Sequence, residues 1–501
     1  MRGEADLPGG WTRSRFEDLV ENLDGRRVPV RSGDRAERPG PYPYYGASGV
    51  IDHVDGYLFE GDHLLVAEDG ANLLSRSTPI AFKARGQFWV NNHAHVVRPL
   101  VNAPIGYLES FLNSLDLAPF VTGSAQPKLT QKALNGIDVP TAPVAEQHRI
   151  VAKLETLQAR SRRAREALDA VPPLLEKLRQ SILAAAFRGD LTKDWRAQNP
   201  DVEPASELLK RIRVERRKKW EEAELAKLTA KGKAPSGDAW KAKYKEPEPV
   251  DTDGLPELPG GWCWSTFDAL ADVDLGRQRA PQYQTGRFTK PYLRVANIKD
   301  DRIDFEDVLE MDFDEEDFEH YALRAGDILL SEGQSPEKVG QSAIYDGRAP
   351  GLCYQKTLHR FRSFPSGPTP RFAQLLFRHY VRSGTFRSVA SLTTNIAHLT
   401  LVRLKALHFP VPPKQEELEL VRLAHQALDR VDSLERSVGP LRGQVQGLDR
   451  SLLAKAFRGE LVPQDPTDEP AATTLARLRA AAPDAAPRRG KARVPGGKGA
   501  R

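Results

Sequence analysis

Only two cysteines, Cys263 and Cys353, occur among 501 residues. That excludes a disulfide framework and a cysteine-based zinc site. No apolar run could span a bilayer, and Met1-Arg2-Gly3-Glu4 lacks the apolar core of a signal peptide, so a cytoplasmic chain without membrane contact is expected. The phosphate-cradling pattern Gly-x-x-x-x-Gly-Lys-Ser/Thr is missing, which removes support for an ATP-driven motor. No Asn-Pro-Pro-Tyr or Asp-Pro-Pro-Tyr element is present to hold a base for amino-methylation; Asn199-Pro200-Asp201-Val202 lacks the second proline and the aromatic. No Gly-rich loop for S-adenosylmethionine follows a strand, so no cofactor is expected. His93 and His95 share a strand face, with Glu68 and Asp69 upstream, but spacing supplies no third ligand and no metal is expected. A nuclease cluster of two carboxylates and a lysine cannot be assembled. No catalytic residue is nominated.

What the chain does contain is itself, twice. Leu7-Pro8-Gly9-Gly10-Trp11 returns as Leu258-Pro259-Gly260-Gly261-Trp262, an offset of 251. The stretch from Ser181 to Leu191, ending Ala-Phe-Arg-Gly-Asp-Leu, returns from Ser451 to Leu461, ending Ala-Phe-Arg-Gly-Glu-Leu, an offset of 270. Glu203-Pro204-Ala205 recurs as Glu469-Pro470-Ala471, an offset of 266. The residues between these matches have diverged. Two copies of one frame that differ in what the frame carries suit a protein reading two different things.

Hydrophobic content of 40% with 28% charged residues describes a globular chain with room for several cores. The net charge of +5 hints at nucleic acid, but its distribution matters more. Residues 1–143 hold 14 basic and 17 acidic side chains, and residues 251–413 hold 19 and 22. The basic excess lies in residues 144–190, 191–250 and 461–501. Within the second copy, the run from Asp304 to Glu319 has ten acids and no Lys or Arg.

Each copy orders its elements alike: an α+β domain, a long helix, then a charged extension. Strand-like runs include Leu64–Ala67, Phe88–Val90 and His95–Val97 in the first copy, and Tyr292–Ala296, Asp327–Leu330 and Ser342–Tyr345 in the second. Helices opened by proline are expected near 104–117 and 370–383. Apolar residues then recur every 3.5 positions from Ile150 to Ala185, and again, 270 residues later, from Leu420. Over more than four heptads this period marks a coiled-coil seam, with Leu154, Leu157, Leu168 and Leu178 facing Ala427, Leu434, Leu441 and Leu448. Pro172-Pro173 and Gly439-Pro440 predict a kink or break in each helix. The boundaries that follow are a domain over 1–143, a helix over 144–190, a charged helical extension and linker over 191–250, a second domain over 251–413, a helix over 414–460 and a basic, disordered tail over 461–501.

These residues resemble the specificity subunit of type I restriction–modification enzymes over nearly the whole chain. The resemblance rests on the duplicated Leu-Pro-Gly-Gly-Trp, on Tyr42-Pro43-Tyr44-Tyr45-Gly46-Ala47-Ser48-Gly49-Val50-Ile51, and on Gly61-Asp62-His63-Leu64-Leu65 with Gly326-Asp327-Ile328-Leu329-Leu330. It rests also on Ile137-Asp138-Val139-Pro140 through Glu146-Gln147, and above all on the repeated Ala-Phe-Arg-Gly-Asp/Glu-Leu. The second copy departs at Pro412-Pro413-Lys414-Gln415-Glu416, where Gln falls one place early, and at Thr393-Thr394-Asn395-Ile396, opposite Gly123-Ser124-Ala125-Gln126. The resemblance implies two target-recognition α/β domains joined by two long antiparallel coiled-coil helices with an internal pseudo-two-fold repeat. It further implies one half of a bipartite site in double-stranded DNA for each domain, and helices that act as a ruler. Its implied partners are two methyltransferase subunits that bind S-adenosylmethionine, together with motor–nuclease subunits.

Base edges call for Arg, Lys, Asn, Gln, Ser or Thr on loops. In the first domain this nominates Arg35, Arg38, Tyr44, Lys83, Arg85, Asn91, Asn92, Gln126 and Lys128. In the second it nominates Arg277, Arg279, Gln282, Tyr283, Arg287, Lys290, Arg294, Asn297, Gln334, Lys338, Gln341 and Asn395. For each the plainer reading is a solvated surface residue or a turn former, and Tyr44 and Tyr45 are expected to pack against the domain core rather than against a base. Two other classes compete: a coiled-coil adaptor that binds protein, and a stand-alone nuclease with carboxylates not recognised by motif. Methyltransferase and motor subunits encoded beside the chain would separate these.

Overall fold

The computed structural model describes residues 7–100, 103–123, 126–233, 235, 237–281 and 284–481. The chain divides into two compact units, residues 1–169 with 439–501, and residues 170–438. Two 44-residue helices, Val144–Phe187 and Lys414–Phe457, therefore each contribute one segment to each unit. The expected break at the prolines does not occur. Pro172, Pro173 and Pro440 lie inside continuous helices, and the division between the units falls beside them. The donors that these prolines lack weaken the ladder locally, but each flanking half is held by its own unit.

In the first unit the central sheet is antiparallel, in the order Val20–Asn22, Ala94–Pro99, His63–Ala67, Ala81–Ala84. The second unit repeats that order with Ala271–Leu275, Leu358–Ser363, Ile328–Ser331 and Ser342–Ile344. The third strand of each sheet is a continuous apolar run because both its faces are covered. Leu64 and Val66 meet the core under the helix Ile105–Ser114, while Leu65 faces Phe88 and Val90. Ile328 and Leu330 likewise face the core under Pro370–Arg382, and Leu329 faces Leu293 and Tyr354. Full burial of such a side chain contributes about 1.5–3 kcal/mol.

The duplicated motifs meet each other inside each unit. Trp11 N–H donates to Pro8 O and Trp262 N–H to Pro259 O, both at 3.1 Å, closing turns with Gly10 at φ 82° and Gly261 at φ 85°. The Ala-Phe-Arg-Gly segment caps each long helix. Asp190 N–H returns to Ala185 O and Glu460 N–H to Lys455 O, each at 2.9 Å, with Gly189 and Gly459 in the left-handed region. A Cβ on Gly189 would overlap Pro259 Cγ, and one on Gly459 would overlap Pro8 Cγ. Beyond the caps, Ala205 N–H donates to Gly261 O at 2.8 Å and Ala471 N–H to Gly10 O at 2.9 Å. Each helix end thus latches onto the domain entrance of the other copy.

That latch overturns part of the expected disordered tail. Ala471–Ala481 is a helix, and Arg479 pairs with Asp18 at 2.9 Å. Its Ala-rich, charged composition reads as unstructured in isolation, but the backbone bond to Gly10 anchors it.

The long helices pair antiparallel within each unit, and only part of the expected seam is buried: Ile150, Leu154, Leu175, Leu420, Ala424 and Val431 are, while several of the leucines are not. In the first unit Arg165 pairs with Asp449 at 2.5 Å and Arg442 with Asp169 at 2.9 Å. In the second, Arg179 reaches Asp432 and Glu435 at 2.6 Å each. Leu154 is buried and Leu157, Leu168 and Ala427 are half-buried, whereas Leu178, Leu434, Leu441 and Leu448 are 44%, 52%, 41% and 52% exposed. One residue beyond these positions Leu428 is buried, and Glu435, Arg442 and Asp449 make ion pairs to the facing helix. Along this stretch ion pairs between the helices fix the register, and the leucines beside them stay exposed.

Candidate nucleic-acid interface

The loops that could meet a duplex gather at one edge of each central sheet. In the first unit they follow Asn22 and Ala67 and precede Ala94; in the second they follow Leu275 and Ser331 and precede Leu358. A buried histidine pins each edge. His95 Nε2 lies 2.8 Å from Leu129 O and its Nδ1 lies 2.6 Å from Asp24 Oδ2. His359 Nε2 lies 2.6 Å from Leu399 O, and burial pushes its pKa down. His359 is therefore the counterpart of His95. Glu68 and Glu332 also correspond, since Leu129 N–H donates to Glu68 O and Leu399 N–H to Glu332 O.

The first edge is a closed ionic network. Arg27 pairs with Glu68 at 2.7 Å and Asp24 at 3.5 Å, Lys128 pairs with Glu68 at 3.1 Å, and His93 contacts Asp69 at 2.9 Å. Burial works to raise the Asp24 carboxyl, but the His95 hydrogen bond and nearby charge hold it below the usual range. Against the same burial, Arg27, His95 and Lys128 hold Glu68 low. Asp24, Glu68 and Asp69 thus claim Arg27, Lys128 and both histidines. No group of three or more His, Cys, Asp or Glu able to hold a metal ion occurs among the described residues.

Many nominated side chains are committed within the fold. Tyr44 is fully buried beneath the Arg35 guanidinium, its hydroxyl accepting from Val30 N–H at 3.0 Å. Asn91 is buried and orders the turn through His93 N–H. Asn297 is buried, holding Asp304 O and Asp307 O at 3.0 and 2.9 Å. Arg277 is buried against Asp312 O and Asp317. Tyr44 packs in the core, as the plainer reading has it, and burial leaves Asn91, Asn297 and Arg277 little edge to offer a base. Arg35 pairs with Asp52 at 2.8 Å, Arg38 with Asp55 at 2.7 Å, and Arg85 with Asp62 at 3.8 Å. Lys83 lies 3.3 Å from both Glu109 and Glu155, and Arg294 pairs with Asp307. Lys290 is half-buried, 4.7 Å over the Phe318 ring.

The acidic run from Asp304 to Glu319 supplies several of these partners. Asp312 illustrates how: its carboxylate accepts from Thr285 Oγ1 and N–H at 2.6 Å and from Gly286 N–H at 3.1 Å. The Thr285 hydroxyl bond, opposed by burial and helped by backbone amides, holds its pKa below the usual range.

Asn92, Gln126, Arg279, Arg287, Lys338 and Asn395 are exposed, Gln334 and Gln341 are half-buried, and Gln282 and Tyr283 lie outside the described residues. Beside these polar side chains stands an apolar feature, a single hairpin, that a polar signature does not mark. Ser391–Leu392 and Ala397–His398 form a hairpin that adds to Gly333–Gln334 in a three-stranded sheet. Its tip, Thr393-Thr394-Asn395-Ile396, is closed by Thr393 N–H to Ile396 O at 2.9 Å, and Leu392 and Ile396 are 61% and 46% exposed.

Comparison with known proteins places this architecture. Residues 8–168 match the family described as "Type I restriction modification DNA specificity domain". The chain is 24% identical over 471 residues to the type I restriction enzyme EcoDI specificity subunit of Escherichia coli, covering 93% of this chain and 91% of that protein. It is 37% identical over 145 residues to a putative type I specificity subunit of Haemophilus influenzae, covering 29% of this chain and 36% of that one. In fold it resembles the HsdS subunit from Thermoanaerobacter tengcongensis, with a TM-score of 0.53 at 18% identity, covering 92% of this chain and 99% of that one. A chain from a type I R-M system studied for its complex assembly matches at a TM-score of 0.57 and 17% identity, covering 91% and 100%.

Proposed function

We propose that the chain is a specificity subunit of a type I restriction–modification system, on its 24% identity over 471 residues to one such subunit, and that its two units read the two parts of one asymmetric duplex site. The observation that carries this reading is the paired sheet edge. His95 and His359 bond to Leu129 O and Leu399 O at equivalent places, while the loops around them differ in sequence and in the contacts they make. A constant frame with unlike loops reads unlike half-sites. The long helices contribute spacing and docking, not sequence. The chain itself transfers no methyl group, and methyltransferase subunits that bind S-adenosylmethionine supply the chemistry.

The leucines left outside the helix seam support the docking role. Leu441 and Leu448 in the first unit, and Leu174, Leu178 and Leu434 in the second, are each more than 40% exposed on helices already paired through charges. Partner helices would cover them, with motor–nuclease subunits joining later. Because so many nominated cations already hold carboxylates, phosphate grip from this chain alone is weak, and the partners add most of it.

The test is to express the chain with and without its methyltransferase and map methylated adenines or cytosines genome-wide. A single bipartite motif that requires both proteins is expected. Methylation or cleavage by the purified chain alone would overturn the proposal.

A further inference from the structure

We propose that the hairpin spanning Ser391–His398 enters the major groove of the duplex, and that Leu392 and Ile396 sit against thymine 5-methyl groups there. This rests on the reading of the second unit as a DNA reader. A two-stranded ribbon fits the major groove, and the thymine methyl is the one apolar group that base edges offer in it.

Three observations converge. The hairpin stands at the sheet edge where the reading loops gather: its strand Ala397–His398 pairs with Gly333–Gln334, just past the buried strand Ile328–Ser331. Its tip combines hydrogen-bonding side chains with aliphatic flanks, and Thr393, Thr394 and Asn395 are exposed between two aliphatic residues that solvent alone would disfavour. The tip is also held rigid. Thr393 Oγ1 donates to Ile396 O at 3.0 Å, Ser391 Oγ donates to His398 O at 3.2 Å, and Gly333 leaves room for the His398 ring. A preset apolar pair beside a polar tip matches a groove floor in which methyl groups and base-edge donors alternate.

The other copy lacks the device. Its matching loop runs Val121-Thr122-Gly123-Ser124-Ala125-Gln126-Pro127-Lys128, with neither leucine nor isoleucine. A leucine–isoleucine contact of this kind therefore belongs to one half-site only.

The experiment uses the full chain assembled with its methyltransferase. The methylated motif is mapped first; absence of any bipartite motif would sink the functional reading itself, separately from this one. Synthetic duplexes then carry uracil for thymine in one half-site at a time. Uracil in the half-site read by the second unit should weaken binding about fourfold for each methyl group lost. Uracil in the other half-site should change nothing through this hairpin. The Leu392→Ala, Ile396→Ala double variant, altered only at exposed positions, should bind thymine and uracil duplexes alike, while Asn395→Ala keeps the uracil effect and relaxes a neighbouring position. Equal binding of thymine and uracil duplexes by the unaltered chain overturns the proposal. So does a second half-site without an A·T pair, or a double variant that still distinguishes the two duplexes.

Discussion

The two units solve one structural problem with different chemistry, most visibly at their latches. In the first, buried Glu146 accepts from Trp11 Nε1 at 3.0 Å and from Gln464 Nε2 at 3.4 Å. In the second, Glu416 stands 270 residues on and accepts from Thr192 Oγ1 and Arg196 Nη2, both at 2.7 Å. Neutral donors hold one carboxylate and a guanidinium holds the other. The same holds at the helix ends, where Phe457 packs on Tyr107 and Phe111 but Phe187 packs on Phe372 and His379. The frame fixes where a contact must be, and each copy has been free to choose what makes it. On the function proposed above, that freedom, extended to the sheet-edge loops, would let two half-sites differ.

Substitutions on the long helices should break this comparison most strongly. Leu154 is 1% exposed, so Leu154→Asp buries a carboxylate without a partner and should cost several kcal/mol. Leu434→Asp, at a residue 52% exposed, should leave stability within about 0.5 kcal/mol and reduce capture of the methyltransferase. Thermal melts with a pull-down of the complex measure both. Matching destabilisation by the two would restore the leucines to the seam.

The latches should separate next. Arg196→Met leaves Glu416 buried without its cation and should cost about 3–5 kcal/mol. Gln464→Leu removes a 3.4 Å bond to Glu146 and a 2.6 Å bond to Gly459 O, both from a neutral donor, and should cost about 1–2 kcal/mol. Denaturant titration distinguishes them, and equal losses would mean that both carboxylates are held in one way.

A smaller difference concerns acid. Burial, with the Arg188 charge, pushes His379 down to about 4. An unfolded histidine titrates near 6.5, so between these values the unfolded chain binds a proton that the folded one refuses. Stability is therefore intact above pH 6.5 and declines as pH falls towards 4, by roughly 2–3 kcal/mol at about 1.4 kcal/mol per unit. The loss should appear in melts from pH 7 to 4.5 and shrink in His379→Phe. An unchanged slope in that variant would assign the acid sensitivity elsewhere.

Periodicity and repetition carried the architecture well, because a buried strand or a capped helix imposes its pattern locally. The Leu64–Ala67 and Asp327–Leu330 runs, the long helices and the Arg-Gly caps could all be read from neighbouring residues. What escaped depended on distant partners. Arg294 looks like a base reader until Asp307 is placed beside it, and Lys83 until Glu109 and Glu155 are. The heptad count favoured leucines because it scores hydrophobicity, whereas the seam recruits Arg165, Arg179 and Arg442 through carboxylates on the facing helix. The helix at Ala471–Ala481 was hidden because its stability lies in Gly10 and Asp18, more than 450 residues away in sequence.

The central claim is that each unit reads one half-site independently of the other. Replacing residues 263–406 with the matching segment of a related subunit, co-expressing the hybrid with the methyltransferase and mapping methylated sites tests it most directly. The account predicts a motif in which one half-site changes while the other half-site and the spacing between them stay as before. A hybrid in which both half-sites change together, or in which neither changes, would contradict it.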